Sequence, residues 1–98
     1  MSRFTVRFSD EAADEIRAAA RWYRQADPEL DRLFRTALQD CVRAIQGNPE
    51  AFPVVLDRSR RALMRTFPYG VYYTVLGQTI FVVAVYHSRR DPRKLEDR

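Results

Sequence analysis

The feature that most constrains this chain is an unbroken apolar run from Ile80 to Tyr86, which is rich in β-branched residues. The run is too short to cross a membrane, and it is typical of a central strand that is covered on both faces. The run is followed by a cationic segment that ends at a proline: His87, Ser88, Arg89, Arg90, Asp91 and Pro92. We therefore expect charge at one edge of a sheet, and we look for function there.

Two more strands are predicted immediately before this run. The alternation in residues 71–75 is typical of a strand. Val71, Tyr73 and Val75 would lie on one face of it, and Tyr72 and Thr74 on the other. Residues 76–78 predict a short turn, because a glycine at its centre can adopt a positive φ. Residues 60–66 predict the preceding strand, and residues 67–70 predict the turn that joins the two.

The N-terminal half predicts a strand followed by two helices. Residues 3–8 alternate as a half-buried strand, and Ser9 is a good N-cap for the helix that follows. Asp27 and Pro28 end that helix and start a second one, because aspartate caps and proline is tolerated in the first turn. Apolar residues recur at helical spacing on both: Ala12, Ile16, Ala19, Ala20 and Tyr23, then Leu30, Leu33, Phe34, Ala37, Leu38, Cys41 and Ile45. So short a join predicts an antiparallel helical hairpin.

These elements predict an α+β fold in the order β-α-α-β-β-β, with the helical hairpin on one face of a mainly antiparallel sheet. We expect residues 1–98 to form a single domain. The run Val54–Leu56 could form a further minor strand. The second face of the sheet, which carries Tyr72, Thr74 and some of the arginines, is expected to stay partly open.

Composition excludes several classes of protein. An apolar fraction of 46% is ample for a folded core. The single cysteine, Cys41, excludes a disulfide framework or a thiolate metal site within one chain, and its place on an apolar stripe predicts a buried structural residue. No signal-peptide core follows Met1 and no membrane span is predicted, so we expect a cytoplasmic protein.

Charge is unevenly distributed along the chain. Residues 1–57 carry 8 arginines and 10 acidic residues, a net charge of −2, whereas residues 58–98 carry 9 basic and 3 acidic residues, a net charge of +6. The basic half coincides with the predicted sheet and the C-terminal segment. A one-sided positive surface favours an anionic partner, either nucleic acid or an acidic protein segment. The alternative is an arginine-rich surface with no partner.

The chain resembles the RelE/ParE toxins of bacterial toxin–antitoxin systems, and their ParE-like branch most closely. The resemblance rests on the predicted order of elements together with two motifs, Phe67-Pro68-Tyr69-Gly70-Val71-Tyr72-Tyr73 and His87-Ser88-Arg89-Arg90-Asp91-Pro92. It implies a toxin that forms a hetero-oligomer with a cognate antitoxin, whose C-terminal segment wraps over the helices and the sheet edge. RelE-like members cut mRNA on the ribosome, whereas characterised ParE members poison DNA gyrase.

The residues favour the gyrase branch over the ribonuclease branch. A metal-independent ribonuclease needs a base, an acid and cations for the phosphate charge. The resemblance implies that RelE-like enzymes supply these with Lys and Arg on the sheet and a C-terminal Tyr or His. Here Gly70 stands where those enzymes carry an arginine, and residues 93–98 contain no Tyr or His. If the chain were a ribonuclease, His87 and Tyr86 would be its only catalytic candidates.

We therefore predict a ParE-type inhibitor of DNA gyrase that needs no cofactor or metal and is held inactive by an antitoxin. The predicted residues for binding the antitoxin or the target are Arg61, Arg65, Tyr72, Arg89, Arg90 and Arg93, since arginine suits carboxylates and phosphates. Two alternatives stay open. One is a ribosome-dependent mRNA endoribonuclease, and the other is a basic nucleic-acid-binding domain, which the charge alone supports.

Overall fold

A computed structural model describes residues 3–98, and for Asp97 it describes the backbone alone. Five strands form one sheet in the order β1-β5-β4-β3-β2, and a helical hairpin packs on one face of it. The strands are β1 (Thr5–Phe8), β2 (Val54–Leu56), β3 (Ser59–Leu63), β4 (Tyr69–Leu76) and β5 (Thr79–His87). β1 runs parallel to β5, and the other neighbouring strands are antiparallel. The predicted α+β fold is confirmed, and the minor strand at 54–56 extends the sheet at one edge.

The two helices, α1 (Asp10–Ala26) and α2 (Pro28–Gly47), begin where the sequence predicts. The Ser9 hydroxyl accepts a hydrogen bond from the Ala12 amide, and the Asp27 carboxylate accepts one from the Glu29 amide. Each cap satisfies a backbone donor that the first helical turn leaves unpaired. Pro28 begins α2 and has no amide hydrogen, so it needs no such partner. Asp27 therefore ends α1 and caps α2 with no residue between the two helices but itself.

The main core lies between the hairpin and the sheet. Phe34, Leu38 and Ile45 of α2 are buried against Val71 and Tyr73 of β4, and α1 contributes three buried alanines. Cys41 is buried there as predicted. Leu33 was predicted to join this stripe, but 41% of it stays exposed, because it lies at the margin of the α2 face that meets the sheet.

The prediction of a partly open second sheet face is wrong for the part that Tyr72 occupies. After Asp91 the chain forms a short 3₁₀ helix, Pro92–Asp97, which lies against that face. Its Leu95 packs with Tyr72, Ala84 and Tyr86 in a second, smaller core. Tyr72 has no exposed surface, so it is not available for the contact with a partner that the sequence suggested.

Two strand boundaries differ from the sequence prediction. β3 ends at Leu63 rather than at residue 66, and Thr66 adopts a left-handed conformation with φ of 72°, which turns the chain away from an extended path. β4 begins at Tyr69, inside the predicted turn, and pairs there with His87. A bulge at Val83 shifts the register of β4 and β5, so that Val82 and Val85 both face the helices while Ala84 and Tyr86 face the second core.

Candidate functional site

The predicted site residues gather at one end of the sheet, where β3 and β5 end and β4 begins. Leu63, Gly70 and Tyr86 stand side by side across these three strands, and the C-terminal segment leaves from His87. The structure divides the predicted residues among three surroundings: the covered second face, the segment after His87, and a groove beside α2.

Arg61 and Tyr72 are neighbours on the second face of the sheet. They are directly paired across β3 and β4, and both pack over Gly70. A β-carbon on Gly70 would lie 3.0 Å from Cε1 of Tyr72 and 3.1 Å from Cγ of Arg61. These contacts are tight and involve a ring and a side-chain stem, so the glycine is needed here for packing. This gives a physical reason for a glycine where the ribonuclease branch carries an arginine.

Tyr86 and His87, the two catalytic candidates, lie in different surroundings. Tyr86 is 2% exposed, and its ring stacks at a tilt on Tyr72 with centroids 4.4 Å apart. Burial, followed by the nearby Tyr72, raises the pKa of the Tyr86 phenol above its ordinary value. His87 is half-buried beside Tyr69, and its Nδ1 accepts a hydrogen bond of 3.2 Å from the Arg89 amide. In a neutral ring that bond assigns the proton to Nε2, which then donates rather than accepts.

The three predicted arginines that follow β5 differ in whether the guanidinium group already contacts another side chain: Arg89, Arg90 and Arg93. Arg89 is exposed, and no ion pair of its guanidinium is found among residues 3–98. Arg90 lies 4.6 Å from the centre of the Tyr86 ring and 4.0 Å from the Glu15 carboxylate. Arg93 is paired with Asp91 at 2.6 Å. Asp91 also caps the 3₁₀ helix by accepting a hydrogen bond of 3.0 Å from the Arg93 amide. The Arg93 guanidinium lowers the pKa of the Asp91 carboxyl.

Arg65 lies apart from the other arginines, on the turn after β3. It is exposed and lines a groove of about 480 Å³ between α2 and that turn. The groove also contains Leu33 and Leu63, which are 41% and 58% exposed. A second groove, of about 520 Å³, lies between α1 and the end of β5 and contains Trp22, His87 and Arg90. Arg65 and Arg90 therefore line different grooves on the two sides of the hairpin.

Sequence reasoning missed the residues that fasten the C-terminal segment, Glu15 and Arg98. The Glu15 carboxylate accepts two hydrogen bonds of 2.9 Å from the Arg98 guanidinium and one of 3.0 Å from the Val85 amide. Arg98 also donates to the Val83 carbonyl. One signal was present in the sequence: position 15 follows Ala12 by three and precedes Ala19 by four, so an acid lies on the apolar stripe of α1.

The chemistry that this arrangement supports is ionic recognition. Burial raises the pKa values of Tyr69 and Tyr86, so both phenols stay protonated near neutral pH. Within residues 3–98 no cluster of three or more acidic, histidine or cysteine side chains is placed to hold a metal ion. Neither helix of the described chain combines the length and the apolar character that crossing a bilayer requires. Among the predicted site residues, Arg65 and Arg89 are exposed and form no ion pair within residues 3–98, so they are free to meet an anionic partner.

Comparison with known proteins gives consistent matches over most of the chain. Residues 6–92 match the family model described as the ParE toxin of the type II toxin–antitoxin system parDE. Toxin ParE2 from two strains of Mycobacterium tuberculosis is 27% identical over 92 residues, which cover 93% of this chain and 88% of that protein. A solved structure of the chromosomal ParDE system of P. aeruginosa shares the fold, with a TM-score of 0.75 and 18% identity over 87% of this chain and 96% of that one.

Proposed function

Because this chain belongs to the ParE toxin family of type II toxin–antitoxin systems, we propose that it is a toxin that inhibits DNA gyrase. The family match over residues 6–92 carries this proposal, and it confirms the resemblance to the ParE-like branch. Membership in the family implies an antitoxin partner. The compartment we propose is the cytoplasm, where gyrase acts.

The chemistry of the candidate residues supports gyrase over mRNA as the target. Tyr86 is buried with a raised pKa, and Gly70 is enclosed by Tyr72 and Arg61. His87 holds its neighbouring amide through Nδ1, so the ring nitrogen that remains carries a proton in the neutral form. Loss of one general acid or base typically costs about 10²–10⁴-fold in rate, so phosphodiester cleavage by this arrangement would be slow.

The test compares two reactions with one purified protein. The wild-type chain is expected to inhibit supercoiling by gyrase or to trap cleaved DNA, and to leave ribosome-bound mRNA intact. His87→Ala is expected to retain most of the effect on gyrase. Efficient cleavage of ribosome-bound mRNA by the wild type, lost in His87→Ala, would replace the gyrase proposal with the ribonuclease alternative.

We further propose that the antitoxin binds through an amphipathic helix and a partly acidic extended segment. Exposed Arg65 beside the apolar Leu33 and Leu63 suits such a partner, since it adds a cation to an exposed apolar surface. Arg65→Glu should weaken the complex that forms when both proteins are co-expressed. Arg43→Glu is the matched control, because Arg43 is equally charged and 75% exposed but does not line this groove. Equal binding by both variants would remove Arg65 from the interface.

A further inference from the structure

Thr66 has an unusual backbone conformation for its residue type. Two non-glycine residues within residues 3–98 have a positive φ, Asp57 at 50° and Thr66 at 72°. Aspartate adopts this left-handed region readily, whereas threonine is branched at Cβ and is an outlier there. A glycine at position 66 would adopt the same turn without strain. The presence of threonine therefore requires a reason.

The turn that contains Thr66 is fixed on both sides by buried residues. Met64 and Phe67 are 7% and 8% exposed. The Met64 amide donates a hydrogen bond of 2.9 Å to the Tyr69 carbonyl, and the Tyr69 amide donates one of 2.8 Å to the Phe67 carbonyl. The surrounding structure thus imposes the backbone conformation of Thr66, and the turn presents Arg65 and Thr66 in a fixed arrangement.

No contact inside the described chain accounts for the Thr66 side chain. Threonine is common in turns because its hydroxyl bonds to a nearby backbone group. The Thr66 hydroxyl forms no hydrogen bond within residues 3–98, and the residue is exposed. Thr66 lines the groove of about 480 Å³ beside α2, together with Arg65, Leu33 and Leu63. Its hydroxyl is therefore available to a molecule that occupies this groove.

The charge of the groove favours an acidic group beside Thr66. Arg65 is exposed, and its guanidinium forms no ion pair within the described part of the chain. Asp40, the one acidic residue among those described that lines the groove, is paired with Arg43 at 3.9 Å instead. A carboxylate accepts hydrogen bonds from several donors at once, and a guanidinium and a hydroxyl on adjacent residues are two such donors.

We propose that Arg65 and Thr66 together bind one carboxylate of the antitoxin, and that Thr66 is a specificity-determining residue of that interface. This inference rests on the proposed binding of an acidic antitoxin segment beside Arg65. The guanidinium supplies the charge, and the hydroxyl supplies a second hydrogen bond from a turn that is already ordered. An antitoxin with an apolar residue at this position would leave both donors without an acceptor and would bind more weakly.

The test measures the Kd between the full chain and the antitoxin encoded by the neighbouring reading frame, by isothermal titration calorimetry. Thr66→Val removes the hydroxyl but keeps the branched shape of the side chain, and Thr66→Ser keeps the hydroxyl. Thr5→Val is the matched control, because Thr5 is exposed on β1 and does not line this groove. Arg65→Gln, alone and together with Thr66→Val, completes a double-mutant cycle.

We expect Thr66→Val to raise Kd about tenfold, which corresponds to the loss of one hydrogen bond to a charged group. Thr66→Ser and Thr5→Val should bind within about twofold of the wild type. In the Arg65→Gln background Thr66→Val should have a smaller effect, because the two side chains bind the same carboxylate. Additive effects would overturn that shared carboxylate.

The outcomes separate this inference from the proposed antitoxin site. If Arg65→Gln weakens the complex while Thr66→Val binds as the wild type does, Thr66 is not a contact, and the inference is overturned while the antitoxin site stands. If neither variant weakens the complex, or if no complex forms, the proposed site is wrong and this inference is overturned with it.

Thermal unfolding of the chain alone tests whether the Thr66 side chain stabilises the turn. Thr66→Gly should leave Tm unchanged or raise it by up to about 8 °C, because glycine adopts a positive φ without strain, although it should bind the antitoxin as weakly as Thr66→Val. Asp57→Gly is the control, because Asp57 also has a positive φ but does not line the groove, and it should leave binding unchanged. A larger fall in Tm for Thr66→Gly than for Asp57→Gly would show that the side chain stabilises the turn, and would overturn its assignment to a partner.

Discussion

Arg98 and Glu15 form a two-pronged ion pair, with both nitrogen–oxygen distances at 2.9 Å, although 83 residues separate them in the chain. The same carboxylate accepts a hydrogen bond from the Val85 amide on the side of β5 that faces away from β4, where β5 is unpaired because β1 ends opposite Val82. Glu15 thus satisfies a backbone donor at the sheet edge and anchors the C-terminal segment. Both roles depend on the Glu15 carboxylate, and the Glu15 side chain is only 19% exposed.

Removal of this ion pair should destabilise the protein measurably. Arg98→Ala is expected to lower the free energy of unfolding by about 1–2 kcal/mol, because it leaves a partly buried carboxylate with one partner fewer. Urea unfolding measures the change. Arg93→Ala is the control and should cost clearly less than Arg98→Ala, since the Arg93 side chain is 76% exposed. An equal loss in the two variants would show that Arg98 adds no more to stability than a surface charge.

The ion pair also shows what the sequence could not predict. The strands and helices were predictable because their periodicities are local, as in residues 71–75 and in the stripe of α1. Leu95 is a single apolar residue among charges, so no periodicity marked the 3₁₀ helix or its packing on Tyr72. The contact between Arg98 and Glu15 depends on the final fold. The sequence predicted that arginines cluster after β5, but it could not predict which of them already form ion pairs within the chain.

Gly70 should resist replacement even by alanine. A methyl group there would lie 3.0 Å from Tyr72 and 3.1 Å from Arg61, which is closer than ordinary van der Waals contact, so Gly70→Ala is expected to cost about 1–3 kcal/mol, measured by urea unfolding. Combination with Arg61→Ala should recover part of the loss, because the flexible stem is one of the two obstacles. Gly47→Ala is the control and should be neutral or stabilising, since no other atom would lie within 4 Å of the added β-carbon. A neutral Gly70→Ala would show that the neighbours adjust freely.

Two leucines on α2 should differ sharply in their contribution to stability. Leu38 is 8% exposed in the main core, and Leu38→Ala is expected to cost about 2–4 kcal/mol through lost burial and the cavity that remains. Leu33 is 41% exposed, so Leu33→Ala should cost less than about 1 kcal/mol. Thermal or urea unfolding compares the two on the same helix. If Leu33 matters as much as Leu38 for stability, the assignment of the α2 face that meets the sheet is wrong.

Cys41 should make stability fall in alkaline solution. Burial raises the pKa of its thiol from 9.0 to about 11 in the folded chain. The unfolded chain therefore loses this proton first as pH rises, and the native state is disfavoured progressively between about pH 9 and pH 11. The contribution of the thiol is fully present below pH 9, and a difference of two pKa units corresponds to a loss of about 2–3 kcal/mol across the window.

The measurement compares urea unfolding of the wild type and Cys41→Ala at pH 8 and pH 10.5. Tyr73, whose pKa burial raises to about 12, titrates in both proteins, so its contribution largely cancels in the comparison. Cys41→Ala should lose less stability than the wild type between the two pH values. At pH 8 a thiol-reactive dye should also label the native protein far more slowly than the urea-unfolded chain, because the thiolate is the reactive form and this thiol is buried and protonated. Equal pH dependence in the two proteins, together with rapid labelling of the native state, would show that Cys41 is accessible and takes part in more than packing.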